Sequence, residues 1–403
     1  MAHFVYNAIE IVALTGTAAS ISYYLICLWS ALTFLREQEA ADKNASTRLA
    51  LPSASILKPL KGTDPGMYES LRSHCLQAYP PEYEIIFGVS DPSDPAIPLV
   101  ERLKEEFPQQ AIHLILCQKT LGANTKVGNL AQMRAQARYE VLLVNDSDIR
   151  VEPDYLRQVV APLADPGIGL VTCLYRGMAS GTLGSRFESL GISTDFAAGV
   201  LTARSLDGMR FGLGSTLAFR RQDLEKIGGF EGLVDYLADD YQIGHRIASL
   251  GLQVKLSAVV VETHLPAYDL GGFVAHQLRW GRTIRDSRPW GYLGLLFTFG
   301  LAWGVLAVVA SHGATAAWAL LGATGLIRLC VALVVGRAVL EDRQVTRWMW
   351  LIPLRDFIGV LVWLASLAGH TINWRGERFL LRDGKLQRID PQADRGVRHQ
   401  SER

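Results

Sequence analysis

Cysteine is sparse and poorly spaced for any task a cysteine cluster performs. Five occur in 403 residues, Cys27, Cys75, Cys117, Cys173 and Cys330, and none forms a C-x-x-C pair. This excludes a structural zinc module and a disulfide framework and leaves free thiols as the expectation. An excess of either charge is also missing, since the formal net charge is +1 with Lys and Arg spread along the chain. With no basic stripe to track a polyanion, nucleic acid is excluded as a partner. There is no Walker motif for phosphoryl transfer and no Gly-x-Ser-x-Gly elbow for a serine hydrolase. Internal repeats and low-complexity tracts are absent too, and nothing in the sequence speaks to oligomeric state.

Long apolar runs, by contrast, are plentiful and unevenly placed. Ile11–Leu32 is apolar or weakly polar throughout, about the ~20 residues a helix needs to cross a bilayer. Glu10 precedes it where a signal peptide would be basic, and no A-x-A site follows, so it reads as a membrane anchor. Tyr292–Ala310, Ala314–Val335 and Met349–Gly369 are three further candidate spans, the last two interrupted by Arg328, Arg355 and Asp356. Arg36, Lys43 and Arg48 after the first span place the middle of the chain in the cytoplasm, as expected for a multi-pass membrane protein. Three more crossings then strand the Arg-rich stretch Arg375–Arg388 outside. One of the three is therefore expected to be re-entrant, interfacial or no span at all, with the two charged ones the best candidates, and Arg355 and Asp356 are expected either to pair with each other or to line a path for a lipid head group. The organisation that follows is an anchor over 1–36, a linker over 37–52, a catalytic region with interfacial segments over 53–290, membrane or re-entrant helices over 291–370, and a basic tail over 371–403, disordered from Pro391.

Between Leu51 and Arg288, short apolar strands alternate with helix formers. Ala54–Lys58, Glu84–Val89, Ile112–Leu116 and Val141–Asn145 read as buried strands, separated by helices over Tyr68–Gln77, Leu99–Phe107 and Lys126–Arg138. The expected class is α/β, with a mostly parallel sheet that binds a nucleotide at its carboxyl edge. The strand ending at Asn145 runs into Asp146-Ser147-Asp148, two carboxylates one residue apart. Such a pair suits a hard divalent cation, although a solvated turn has the same composition. Asp91, past the second strand, is placed to accept from a uracil or ribose, or simply makes a turn. Gly122–Leu130 leads from a loop into a helix, where backbone N–H groups and Lys126 favour a diphosphate. Asp239 and Asp240 open a helix that runs to Leu250, as catalytic carboxylates or as N-terminal helix charges. Arg279 and Trp280 offer a guanidinium for phosphate and an indole for a sugar, a pair that also suits a membrane interface. Leu183–Ala203 fits either an interfacial acceptor entrance or a buried helix.

The order of these stretches, with Ser55–Gly62, Asp94-Pro95-Ala96, Asp146–Val151, Ala238–Tyr241 and Leu278-Arg279-Trp280, resembles the family-2/21-like inverting glycosyltransferases of GT-A (Rossmann-like) fold. Within them it is most similar to the branch holding ceramide glucosyltransferase and the bacterial hopanoid-biosynthesis glycosyltransferase. The resemblance implies that Asp91 belongs to the nucleotide site, Asp146 and Asp148 to the nucleotide–metal site with Mg²⁺ or Mn²⁺, and Asp240 to catalysis as general base. Lys126, Arg279 and Trp280 are expected to add donor contacts. Two positions depart from the pattern: His276 stands where Gln or Arg is usual, and Asp148 where ceramide glucosyltransferases tend to carry Gly. The function so implied is inverting transfer of a sugar from a UDP-sugar, N-acetylglucosamine favoured, to the hydroxyl of a lipid in the bilayer, a hopanoid such as bacteriohopanetetrol. Ceramide glucosylation and a non-catalytic membrane scaffold are the alternatives. A processive polysaccharide synthase needs more spans than this chain has.

Overall fold

The computed structural model describes residues 2–44, 51–374 and 376–389. Its centre is an eight-stranded sheet of β1 (Ala54–Pro59), β2 (Tyr83–Val89), β3 (Ala111–Leu116), β4 (Val141–Val144), β5 (Ile149–Arg150), β6 (Ile168–Met178), β7 (Leu217–Arg220) and β8 (Gln253–His264), in the order β3-β2-β1-β4-β7-β6-β8-β5. The first four are mutually parallel because α2 (Met67–Cys75), α3 (Ile97–Glu106) and α4 (Thr125–Arg134) carry the chain back each time. β7 then enters antiparallel to β4, and β8 runs parallel to β6. All four residues of β4 are buried because both faces are covered. Successive side chains take opposite faces: Leu142 and Val144 join one core with Leu57 and Ile86, while Val141 and Leu143 join the other with Ile56 and Phe87. Every expected strand and helix of this half exists, with ends displaced by at most four residues.

The flanks differ more. The first helix, α1, is one piece over Ala2–Asn44, so residues 37–44, expected in the linker, continue it. Three helical stretches, Tyr6–Ala40, Thr315–Val339 and Arg343–Ser366, are long and apolar enough to cross a membrane. The remaining segment is a bent pair, Pro289–Thr298 and Gly300–Ala310, at 58°. The chain thus breaks in the uncharged segment, not in the charged ones as expected. The charged helices stay whole because their charges find partners: Arg328 grips Asp356 through Nε and Nη2, each at 2.9 Å. Arg355 pairs with Asp195 rather than with Asp356. At the break, the Tyr24 hydroxyl of α1 donates to the Thr298 carbonyl at 2.7 Å and accepts from Gly300 N at 3.2 Å.

Residues 371–388, expected as part of a basic tail, form a three-stranded antiparallel sheet, β9 (Thr371–Trp374), β10 (Glu377–Arg382) and β11 (Lys385–Arg388), whose apolar face packs on Leu237. The disordered tail expected from Pro391 lies outside the described residues.

Candidate functional site

The turn after β4 is pinned from beneath. Asn145, fully buried, donates through Nδ2 to Tyr155 Oη at 2.8 Å and to the Ser215 carbonyl at 2.6 Å. Lys58 Nζ donates to the Asp146 carbonyl at 3.1 Å, and burial pushes this amine down to about 7. Ser147 donates to Asp64 Oδ2 at 2.8 Å, and Thr263 of β8 donates to Asp148 Oδ2. With its backbone so fixed, the turn presents Asp146 and Asp148 at the carboxyl edge of the sheet.

Opposite stands the helix Asp239–Ser249. It presses close on the segment before β7, because a Cβ at Gly244 would come within 2.1 Å of Gly212 N. That approach sets Asp240 beside Gly214, whose N–H donates to Asp240 Oδ2 at 2.8 Å. A Cβ at Gly214 would lie 3.1 Å from Asp146 Oδ2 and 3.3 Å from Asp240 Oδ2, so the two carboxylates flank one bare backbone position. Lys126, in the first turn of α4, bridges Asp146 at 2.8 Å and Asp239 at 3.2 Å. The loop before it is held by Asn124, whose side chain accepts from Val127 N and donates to the Tyr236 carbonyl.

The electrostatics are dominated by crowded carboxylates. Burial, then the charge of Asp146, push Asp148 up to about 6. Burial, then Asp239, push Asp240 up to about 6 as well. Asp239 is raised by burial against the pull of Lys126. Burial works against the charge of Lys126, but Asp146 and Asp239 outweigh it and hold the amine protonated. Among the described residues no three His, Cys, Asp or Glu side chains form a complete metal cage. Asp146 and Asp148 do fit half of one. Small hard cations are commonly held by one or two carboxylates plus substrate phosphates, and the excess of carboxylates here is chemistry that a dication relieves.

These residues line a cavity of about 1530 Å³. Asp146, Asp148, Asp240, Lys126, Arg279 and Trp280 all border it, as do Asp64, Tyr175 and Glu188, which no sequence motif marked. Asp91 is not on its lining; it is exposed, and its carboxylate accepts from Ser93 N at 2.8 Å and Ser93 Oγ at 2.6 Å. The helix Leu270–Ser287, capped by Asp269 on Gly272 N, supplies Arg279 and Trp280. His276 on the same helix stacks on Tyr268 and lies 3.2 Å from buried Glu188, to which Gln277 also donates at 2.8 Å. The cavity continues among the apolar helices past Tyr24, Phe299, Arg328 and Trp363. Leu183–Ala203 proves mostly buried, as its buried-helix reading has it, and also lines the cavity.

Comparison with known proteins gives the same outline. The family model described as Glycosyl transferase family 21 matches residues 12–387. Ceramide glucosyltransferase 3 of Caenorhabditis elegans is 25% identical over 232 residues, 57% of this chain and half of the length of that relative. Ceramide glucosyltransferase 1 of the same organism is 23% identical over 355 residues, 83% of this chain and 72% of the relative. A solved mannosyltransferase from Pyrobaculum calidifontis, in complex with GDP-Man and Mn²⁺, superposes with a TM-score of 0.52 at 20% identity, covering 89% of this chain and 99% of its own. That likeness establishes the GT-A-like mixed α/β fold.

Proposed function

Because the chain belongs to glycosyl transferase family 21, we propose that it transfers a sugar, with inversion, from a UDP-sugar to the hydroxyl of a membrane lipid. The observation that carries this reading is continuity: the cavity that holds Asp146, Asp148 and Asp240 is the one that extends among the membrane-length helices. A water-soluble acceptor has no use for such a path.

Asp240 takes the proton from the attacking hydroxyl, a contribution of about 10² to 10⁴-fold for a positioned base. Its two accepted hydrogen bonds, from Gly214 N and Tyr241 N, fix where its remaining lone pairs point. Lys126 holds Asp146 and Asp239 together, so the donor end keeps its shape before a ligand arrives. What a Mg²⁺ or Mn²⁺ ion supplies, when bound by Asp146 and Asp148, is neutralisation of charge on the departing diphosphate. Arg279 adds a fixed positive charge for that diphosphate, and Trp280 a flat apolar wall for the sugar. Asp91, just past β2 and outside the cavity lining, receives the uracil or ribose only where the donor extends beyond the cavity to the carboxylate that Ser93 now holds.

N-acetylglucosamine passed to a hopanoid polyol is the finer reading of the motifs. Glucose passed to ceramide fits equally, favoured by the ceramide glucosyltransferases among the relatives. In either case the catalytic region faces the cytoplasm of a bacterial inner membrane. The test is UDP release by the full chain in nanodiscs, with UDP-N-acetylglucosamine or UDP-glucose, Mg²⁺ or Mn²⁺, and a hopane tetrol or ceramide. Metal-dependent release with a product of inverted anomeric configuration is expected. No metal-dependent turnover with any UDP-sugar and lipid extract leaves only the non-catalytic scaffold.

A further inference from the structure

The cavity has a second polar pole, set apart from the carboxylates around Asp240 and buried among the membrane-length helices. Arg328, 2% exposed, binds the Asp356 carboxylate through two nitrogens and reaches Asp195 Oδ1 at 2.5 Å. Arg355 pairs with the other Asp195 oxygen. All four side chains line the cavity. Two cations and two anions cancel, which is how charge is tolerated at such depth.

Neutrality does not make the cluster complete. Arg355 Nε is buried with no hydrogen-bond partner, an orphaned donor on a charged group. Its guanidinium lies against the bare backbone of Gly191, where a Cβ would come within 2.2 Å of Nη2. Asp195 is one-third exposed while serving both arginines. It sits in a π-helical turn, Ile192–Phe196, a form that recurs at functional sites. That turn also brings Phe196 into a run of rings joining the poles: Tyr175 to Phe196 at 5.2 Å, Phe196 to Trp280 at 5.7 Å and Trp280 to His276 at 5.4 Å.

A polar pole at the reacting end, an aromatic wall between, and a second polar pole deeper in describe a ligand with matching parts. We infer that Asp195 and Arg355 form an acceptor subsite for a second hydrogen-bonding group, a hydroxyl or an amide, on the amphiphile whose reacting hydroxyl lies at Asp240. This rests on the lipid-transfer reading above. The occupant is neutral, because the two arginines and two aspartates already balance one another and an added anion would be buried with no counter-charge of its own. Arg328 and Asp356 are the positioning half; Asp195 and Arg355 touch the ligand.

The test uses the full chain in nanodiscs with UDP-glucose and UDP-N-acetylglucosamine, and three acceptors: ceramide, a hopane tetrol, and 1-octadecanol, which has one hydroxyl and nothing else polar. The wild type should use one of the first two at least tenfold better than 1-octadecanol. Asp195→Asn and Arg355→Gln should raise the KM for that preferred acceptor about ten- to a hundredfold, the worth of a hydrogen bond to a charged group. The KM for the donor should stay within twofold, and competition by 1-octadecanol should not change. Gly191→Ala, which displaces the Arg355 guanidinium without removing a charge, should move the same parameter in the same direction and serves if the charge variants fail to fold. Equal use of all three acceptors by the wild type overturns the subsite, as does a parallel rise in donor KM or variants that bind every acceptor as the wild type does. Absence of transfer to any acceptor by the wild type overturns the underlying lipid-transfer reading, and the subsite with it.

Discussion

Asp240 is the base in the proposed transfer, and its environment sets how that activity should depend on pH. A carboxylate raised to about 6 is competent as a base only when deprotonated, so the active form gains above that value and is lost below it. The kcat at saturating donor and metal should level off above about pH 7 and fall roughly tenfold per unit below 6. Asp240→Asn should remove this limb and lower kcat about 10² to 10⁴-fold while UDP still binds, as isothermal titration would show. Asp148→Ala should instead weaken metal-dependent donor binding; identical behaviour of the two variants would refute the division of roles. Gly214→Ala offers a subtler check, since the added Cβ meets Asp146 and Asp240 at 3.1 and 3.3 Å and must push one aside. Its kcat should drop about ten- to a hundredfold with little loss of thermal stability. The acidic motifs were legible in the sequence because each follows a strand or opens a helix. What was hidden is partnership: Lys126 is committed to Asp146 and Asp239, and Glu188 and Asp64 carry no motif and meet the cavity only through tertiary folding.

At the scale of elements, the small C-terminal sheet is the part most misread from sequence, although its signals were present. Ile372, Phe379, Leu381 and Leu386 point inward, while Arg378 and Arg382 alternate with them on the opposite face of the sheet. Asp383-Gly384, with φ of +52° and +74°, closes the β10–β11 hairpin, a turn that Asp-Gly favours. The sheet holds the approach to the helix Asp239–Ser249: Leu386 N donates to the Asp235 carbonyl at 2.7 Å, and Leu237 N to the Gly384 carbonyl at 3.1 Å. Asp239 and Asp240 follow directly. Leu386→Asp, which places a charge in this buried cluster, should release the segment before Asp240 and lower kcat more than it raises donor KM. Faster hydrogen exchange over 233–241, without faster exchange in β1 to β4, would confirm that the effect is local. The break at Phe299 was hidden for a different reason, because hydropathy registers the length of an apolar run and not its direction, and the bend is set by Tyr24 on a distant helix.

Over the whole molecule, the division into anchor and catalytic region does not survive packing. Tyr24, Cys27, Ala31 and Phe34 of α1 belong to the same core as Leu57, Ile86, Leu142 and Val144 of the sheet. Polar contacts tie them further: Thr202 Oγ1 donates to Cys27 Sγ at 3.2 Å, and Gln38 Nε2 to the Ala258 carbonyl at 2.7 Å. A tether would show none of this. Hydropathy alone marks α1 as apolar enough to span, but apolar length does not say which turns face lipid and which face protein. Removing residues 1–36 should therefore expose core rather than merely remove one of several membrane-length helices. Losing one buried Leu- or Phe-sized side chain costs about 2 to 5 kcal/mol, and several go at once, against a total stability of about 5 to 15 kcal/mol. In detergent, size-exclusion chromatography of a 37–403 chain should give aggregate where the full chain is monodisperse, and any recovered fraction should lack a cooperative thermal transition and UDP binding. The alternative, that α1 only localises the enzyme, predicts that the shortened chain, still carrying the apolar helices beyond Pro289, is monodisperse in detergent and binds UDP as the full chain does. Since Tyr24 and Cys27 also line the cavity, restoring α1 as a separate peptide should recover lipid transfer only if it docks in its native position.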